Sequence, residues 1–390
     1  FFFVSLLFVV LSLVNVLMNH VFRLPDKGPP VIRDVLLQRG WEEYDEDDAN
    51  GNQHFNMWWK TARFTPSQLA SCHYPYQRIN HFPKSSEITR KDSLLRNLRR
   101  MRGIYGQLYD FIPESFIMPN EYVKFCQRYS ELKDNGEDPI WICKPSDLSR
   151  GRKIFVFRDI GELTYDCNVV VQKYVDDPLL MFDHKFDLRI YVLVTSFQPL
   201  RVYMYRDMMV RFASETYDTS KLTNTLSHLT NTSLNKYAPT QGQNRPGIGA
   251  GCKWNFDQLK EYFCQRDVDF QPIWGRIDNI VNLTLLSIAP SIAHNPPCFE
   301  LYGFDIIVDK NFKPWLLEVN FSPALGLDED IDHAIKIPLV ADMIDTLQIK
   351  GIDAGFTPQG VEDEATRKVY SSRTQPRNPT ELTAAQAARS

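Results

Sequence analysis

The chain has 390 residues, 43% of them hydrophobic and 13% aromatic, with a formal net charge of −4. That is enough apolar material for a large core and more than one lobe, and so small a charge excludes a protein that holds nucleic acid through its overall field. Seven cysteines (72, 126, 143, 167, 252, 264 and 298) show no CxxC and no metal-ligand spacing, which argues for reduced thiols and against a disulfide framework or a zinc site.

Residues 1–18 are almost all apolar and uncharged, the length of a membrane-spanning helix. No basic segment precedes them, so a leader over 1–21 is expected to be either an anchor or an artefact of the gene model. As an anchor it would leave Arg23, Lys27 and Arg33 on the cytosolic side. Residues 22–118 then form an N-terminal domain. Residues 31–39 lead to Trp41, the acidic run 42–48 is expected as an exposed loop, and 57–64 supply two tryptophans to a core. Leu94, Leu98, Met101 and Tyr105 recur at helical spacing. The other face of that helix carries Arg96, Arg99, Arg100 and Arg102, either a solvated face or a dock for an acidic partner. Residues 111–119 read as a connector, with prolines at 113 and 119.

A central lobe is expected over 119–200. It opens with an amphipathic helix at 121–132, ended before Asp138-Pro139. A strand at 140–143 leads to Lys144. Ser149-Arg150-Gly151-Arg152-Lys153 is a small basic loop, followed by a strand at 154–157. Strand, basic loop and strand make a flap whose N–H groups and cations can cover phosphates. No Walker loop and no GxGxxG occur. VVVQKYV at 169–175 is a strand able to offer backbone groups to a base. In KFDLRIYVLV at 185–194 strand parity puts Lys185, Asp187 and Arg189 on one face and Phe186, Leu188 and Ile190 on the other.

A C-terminal lobe is expected over 201–350. Residues 200–206 and 208–212 read as a hairpin around Arg206-Asp207, with Arg211 emerging from apolar neighbours. A polar loop runs from His228 to Lys236, and helices are expected at 256–263, 274–289 and 331–347, the last with Lys336 near its start. Between them, CFELYGFDIIVDKNFKPWLLEVNFSPAL (298–325) reads as two strands joined by a tight connection. Glu318 and Asn320 share a face by parity, and a hairpin can bring Asp305 beside them. Two carboxylates and an amide oxygen are hard donors that suit Mg²⁺. The competing reading is an ordinary hairpin with solvent-facing acids. Residues 351–390 are poor in large apolar side chains and read as a disordered tail.

TRKD (89–92), WICKP (141–145), SRG (149–151), VQKYV (171–175), KFDLRIYVLV (185–194), RFA (211–213), HLTNTSLNK (228–236), GCKW (251–254), CFELYGFDIIVD (298–309) and WLLEVNFSPAL (315–325) resemble, in this order, the tubulin tyrosine ligase-like enzymes. These are amino-acid ligases of the ATP-grasp fold. The resemblance implies an α+β protein whose central and C-terminal lobes grip ATP between sheets. It implies that Lys144, Arg150 and Gly151 contact phosphate, that Gln172, Lys173, Tyr174 and Val175 meet the adenine edge, and that Lys185, Asp187, Thr230 and Asn231 hold the rest of the nucleotide. Asp305, Glu318 and Asn320 match the magnesium ligands. Arg211, Ser233, Lys236 and Lys336 match positions that hold the incoming amino acid, and Lys144, Arg150, Arg211 and Lys336 are the expected catalytic set.

The implied reaction adds free L-glutamate to glutamate side chains in the acidic C-terminal tails of tubulin, through an acyl phosphate. A monomer at the cytoplasmic microtubule cytoskeleton, including the cilium or basal body, is expected, with the basic face at 96–102 drawing in the tail. Thr232 and Phe321 depart from the Tyr and His that many polyglutamylases carry. They bear on the choice of amino acid and of acceptor. A ligase for glycine or for a non-tubulin acceptor, and an inactive microtubule-binding protein, are the alternatives.

Overall fold

Fourteen consecutive residues rich in β-branched and aromatic side chains, His184–Phe197, form a strand buried on both faces along most of its length, as the centre of a covered sheet must be. The structure, a computed structural model, describes residues 20–25, 28–45, 54–148, 151–231, 245–249 and 251–350. The leader before residue 20 and the tail from 351 lie outside the described residues. Among the described residues no helix is long and apolar enough to cross a membrane.

The chain begins with a small parallel sheet. Its strands are β1 (Val21–Arg23), β2 (Glu42–Glu43), β3 (Met57–Trp58) and β4 (Arg78–Ile79), in the order β2-β1-β3-β4. Helix α1 (Pro30–Gln38), which starts at a proline as helix first turns allow, follows β1. Glu42 and Glu43, expected in a loop, are an exposed edge strand. Two short helices, α2 (Pro66–Ala70) and α3 (Ser86–Thr89), lead to α4 (Lys91–Tyr105). Helix α4 buries Leu94, Leu95 and Leu98 and ends at Gly106 with φ +62° and ψ −132°, a conformation open to glycine because it has no Cβ.

The second sheet is antiparallel. It contains β5 (Ser115–Met118), β6 (Trp141–Pro145), β7 (Phe155–Phe157) and β8 (Val169–Lys173), in the order β5-β8-β6-β7, with α5 (Tyr122–Asp134) against it. The connector expected at 111–119 therefore contains a strand. The VVVQK strand lies inside the sheet, paired on both sides, and the chain leaves it at Tyr174.

The third sheet holds the long strands. A short β9 (Leu180–Met181) pairs with the start of β10 (His184–Phe197), and β11 (Leu200–Phe212), β12 (Lys253–Trp254), β13 (Glu300–Val308) and β14 (Pro314–Asn320) complete the order β12-β11-β10-β13-β14, all antiparallel. The hairpin expected around Arg206-Asp207 is corrected. Residues 200–212 are one strand, and the turn sits at 198–199. Arg206-Asp207 falls where the register skips between Met204 and Met208, so its polar residues mark a bulge and not a turn. A domain boundary at 200 would cut this strand pair. Helices α6 (Thr225–His228), α7 (Phe256–Cys264), α8 (Gln271–Leu286) and α9 (Asp330–Leu347) complete the fold. Helix α9 opens with Asp330 and Asp332 in its first turn, where acids favour the helix dipole.

The small parallel sheet is not a separate body. Ile79 N donates to Pro297 O (2.8 Å) and Ile79 O accepts from Phe299 N (2.9 Å), which ties β4 to the start of β13. Phe22, Ile32, Leu36, Met57 and Trp59 share one core with Tyr191, Leu301, Ile335 and Val340.

Candidate active site

Cross-strand register assembles the charged centre. Asp187 on β10 lies opposite Arg211 on β11, Arg189 opposite Asp305 on β13, and Asp305 opposite Glu318 on β14. Arg211 donates to Asp187 from Nε and Nη2 (2.7 Å each) and reaches Asp305 Oδ2 at 3.0 Å. Arg189 forks onto Asp305 at 2.5 and 3.0 Å. Both guanidiniums hold the Asp305 carboxyl far below the usual carboxylate range despite its burial. Gly303 is the open position that lets this happen. A Cβ there would come within 3.0 Å of Arg189 Cδ and 3.1 Å of Pro323 Cβ. A register shift beside Asp305 leaves Leu317 as the extra residue, so Glu318 and not its neighbour faces Asp305.

A cleft opens between the second and third sheets. Lys144, Gln172, Lys173, Tyr174 and Val175 line it from the second sheet, with Ile142 and Ile154. Lys185, Asp187, Asp305, Ile307, Leu317 and Glu318 line it from the third, and His228 to Asn231 close one side. Lys144 Nζ donates to Gln172 Oε1 (2.7 Å), and Gln172 Nε2 to Ser115 Oγ (2.9 Å). Lys185 Nζ donates to the Tyr174 hydroxyl (2.6 Å) and to His228 O (3.0 Å). Thr230 Oγ1 donates to Asp187 Oδ2 at 2.5 Å. Burial lowers both lysines against the opposing pull of nearby carboxylates, Lys144 to about 8 and Lys185, with the Lys144 charge adding to it, to about 7. Two depressed cations in a half-apolar slot are poised for an incoming anion.

At one end the metal-type donors meet. Asn320 Nδ2 lies 3.2 Å from Glu318 Oε1 and 3.4 Å from Asp305 Oδ2. The set fits Mg²⁺ in donor type and convergence. The Asn320 amide presents its NH₂ to both acids here, so ligating a cation requires it to turn its oxygen inward. Lys91 Nζ sits 3.2 Å from Glu318 Oε2 and donates to Leu148 O at 3.0 Å. It lies in the TRKD block that carries the resemblance, but no role was given to it, because 227 positions separate it from Glu318. Ile142 and Ile307 were findable by parity, each two residues from a site residue on the same strand.

The amino-acid positions behave differently. Thr232, Ser233 and Lys236, and Arg150 with Ser149 of the flap, lie outside the described residues. Gly151 is described, at φ +73°, beside the cleft and not among the residues lining it. Lys336 Nζ donates to Gly326 O (2.6 Å) and pairs with Asp332 Oδ1 (2.8 Å), while Lys253 takes the other Asp332 oxygen (2.8 Å). Arg211, expected at a position that holds the incoming amino acid, has Asp187 and Asp305 as its carboxylate partners. The basic helix face is corrected too. Arg96 pairs with Asp92 (2.6 Å), Arg99 with Glu121 (2.8 Å) and Arg102 with Asp110 (3.0 Å), and Arg100 donates to Ser287 O (2.8 Å).

Residues 69–353 match the sequence family described as the tubulin-tyrosine ligase family. The chain is 44% identical over 335 residues to a human protein named probable tubulin polyglutamylase TTLL2, a span of 85% of this chain and 56% of that one. The mouse protein of the same name is also 44% identical over 335 residues, with 85% of this chain and 62% of its own length covered. Human tubulin polyglutamylase TTLL5 is 35% identical over 354 residues, 87% of this chain and 26% of that protein. The chain thus spans little more than half the length of the first two relatives.

Proposed function

The chain belongs to the tubulin-tyrosine ligase family and has its ATP-grasp fold, and from that premise we propose that it is an ATP-dependent ligase that joins glutamate to glutamate side chains of tubulin tails. One observation carries the reading. Residues from seven separated segments, at 142 and 144, 154, 172–175, 185 and 187, 228–231, 305 and 307, and 317–318, converge on a single cleft, and most of these segments are the ones assigned to nucleotide and metal. The relatives' names supply the acceptor and the amino acid.

In this reading Ile142, Ile154 and Ile307 give an apolar slot for the base, and Tyr174 and Val175 lie where the chain leaves β8. Lys144 and Lys185 offset phosphate charge, with Arg150 and Gly151 of the flap. Thr230 and Asn231 close over the sugar. Asp305, Glu318 and Asn320 would hold Mg²⁺, whose charge draws electron density from the phosphates when bound. A carboxylate is a poor electrophile. The acceptor carboxylate oxygen attacks the γ-phosphorus, ADP leaves, and an acyl phosphate forms. The amino group of glutamate then attacks the acyl carbon and phosphate departs, giving an isopeptide bond. The chain contributes positioning and charge neutralisation. Lys336, Ser233 and Lys236 hold the incoming amino acid, and Arg211 fixes Asp187 and Asp305. The setting is the microtubule cytoskeleton of the cytoplasm, cilia included, and the protein acts as a monomer.

The test is mass spectrometry of tubulin after incubation with the protein, ATP, Mg²⁺ and labelled glutamate, glycine or tyrosine in competition. Glutamate increments on tail peptides are expected. Nucleotide consumption without any increment would sink the reading. One observation favours glycine as a second reading: with Arg211 spent on two internal acids, no described arginine remains open in the cleft for a second substrate carboxylate.

A further inference from the structure

Three of the four arginines of α4 are paired with the chain's own acids, and Arg100 is turned onto the Ser287 carbonyl, so an acidic substrate gains little from that face. Lys60 and Arg63 offer another pair, close to the metal-type end of the cleft. Among the described residues no carboxylate pairs with either. Their partners are aromatic faces. The Arg63 guanidinium lies 4.6 Å over the Phe321 ring and donates to Thr89 Oγ1 at 2.8 Å. Lys60 Nζ lies 5.1 Å from the Phe64 ring and 5.7 Å from Trp58, and donates to Gln68 Oε1 at 2.8 Å. A ring face braces a cation without cancelling its charge. Arg23 stacks on the same Trp58 at 4.1 Å, so a third positive charge stands beside Lys60.

The place matters as much as the charge. Phe321 directly follows Asn320 at the metal-type end of the cleft. Its ring also meets the buried His81 ring, tilted, at 5.4 Å between centroids, which helps to fix it. Thr89, which holds Arg63, stands two residues before Lys91, the partner of Glu318. Arg63 is exposed and Lys60 half-buried. A guanidinium has five donors, and one is used here. An extended peptide whose acceptor side chain reached the metal end would run its neighbouring residues past this pair, at about 3.3 Å per residue.

We propose that Lys60 and Arg63, braced on Phe64, Trp58 and Phe321, form the docking surface for an acidic extended peptide flanking the acceptor carboxylate. The inference rests on the ligase reading and names the surface that selects its acceptor. Phe321 is then a specificity element, because it sets where Arg63 points.

The probe is a fluorescein-labelled glutamate-rich peptide, titrated with the full chain and read by anisotropy at low and moderate salt. Lys60→Gln with Arg63→Gln should weaken binding about tenfold and flatten its salt dependence, as expected for losing two exposed charge contacts. Arg63→Lys should recover part of the loss. Phe321→Ala should cost about twofold to fivefold through loss of the brace. Arg96→Gln, whose cation is already paired, should bind as wild type. A wild-type curve for the double variant overturns the inference, and so does an equal loss in Arg96→Gln. On the wild type alone, the peptide should slow chemical acetylation of Lys60, read by mass spectrometry, and an unchanged rate overturns the inference whatever the variants do. A wild type that binds nucleotide but no acidic peptide at any salt overturns the acceptor class itself, a failure distinct from peptide binding that ignores Lys60 and Arg63.

Discussion

Removing the Arg211 guanidinium would leave the Asp187 and Asp305 carboxylates close together inside a covered sheet, with Arg189 alone to balance them. Arg211→Ala should therefore lower stability by about 3–5 kcal/mol, the cost of an uncompensated buried charge. Urea unfolding of wild type and variant measures it, and superimposable curves would show that the pair carries no stability. The same cluster predicts the metal's behaviour. Asp187, Asp305 and Glu318 are paired with Arg189, Arg211 and Lys91, three against three before Lys144 and Lys185 of the same cleft are counted. A divalent cation entering alone would leave this buried centre net positive, so Mg²⁺ should bind weakly by itself and well only with the polyphosphate. Glu318→Gln should remove the Mg²⁺ dependence of nucleotide binding in calorimetry. A variant that keeps it would remove Glu318 from the ligand set. Parity along single strands was enough to foresee that Lys185 and Asp187, or Glu318 and Asn320, share a face. It could not reveal that Arg211 sits opposite Asp187, because cross-strand register depends on the turn at 198–199, and that turn was placed eight residues too late.

At the scale of elements, β6 and β10 each bring one buried lysine to the cleft. Their ammonium groups are disfavoured by burial, so the empty protein binds fewer protons at these sites than free lysine would. Phosphate stabilises the charged forms and raises both values in the complex. Below about pH 7 the lysines are charged in either state. Between there and the raised values of the complex, binding must take up protons, and affinity must fall as pH rises. Calorimetry in two buffers of different ionisation enthalpy, from about pH 7.5 to about 9.5 where the nucleotide is fully ionised, should show net uptake. Zero uptake would mean that neither lysine meets phosphate. Helix α4 illustrates the limit of reading elements from sequence. Its period and apolar face are written in Leu94 and Leu98, and its basic face is equally plain. The acids that cancel that face at Glu121 and Asp110 belong to other segments, and nothing local announces them. The strand at 115–118 was hidden for a related reason: flanking prolines look like a connector, yet both lie outside the paired residues.

For the whole molecule, the cleft lies between two sheets that share few side chains, so a ligand bridging them should act as a clamp. Nucleotide with Mg²⁺ at about 100 times its dissociation constant should stabilise the fold by about 2.7 kcal/mol. Hydrogen exchange should slow in both β8 and β10, and protection confined to one sheet would contradict a site built from two. The α+β character followed from the resemblance carried by the ten sequence blocks. A boundary drawn at 118 or 200 follows composition, while the sheets follow pairing. The seam between β4 and β13 has a practical consequence for anyone who cuts the gene. The family match begins at residue 69, and a fragment started there looks complete by sequence. It would lack Phe22, Ile32, Leu36, Met57 and Trp59, and one flank of α9 would be left as bare hydrocarbon. Such a fragment should be recovered as aggregate or be digested in the cell, whereas one begun at residue 20 should be soluble, and trypsin applied to the intact fold should spare the link between β4 and α4.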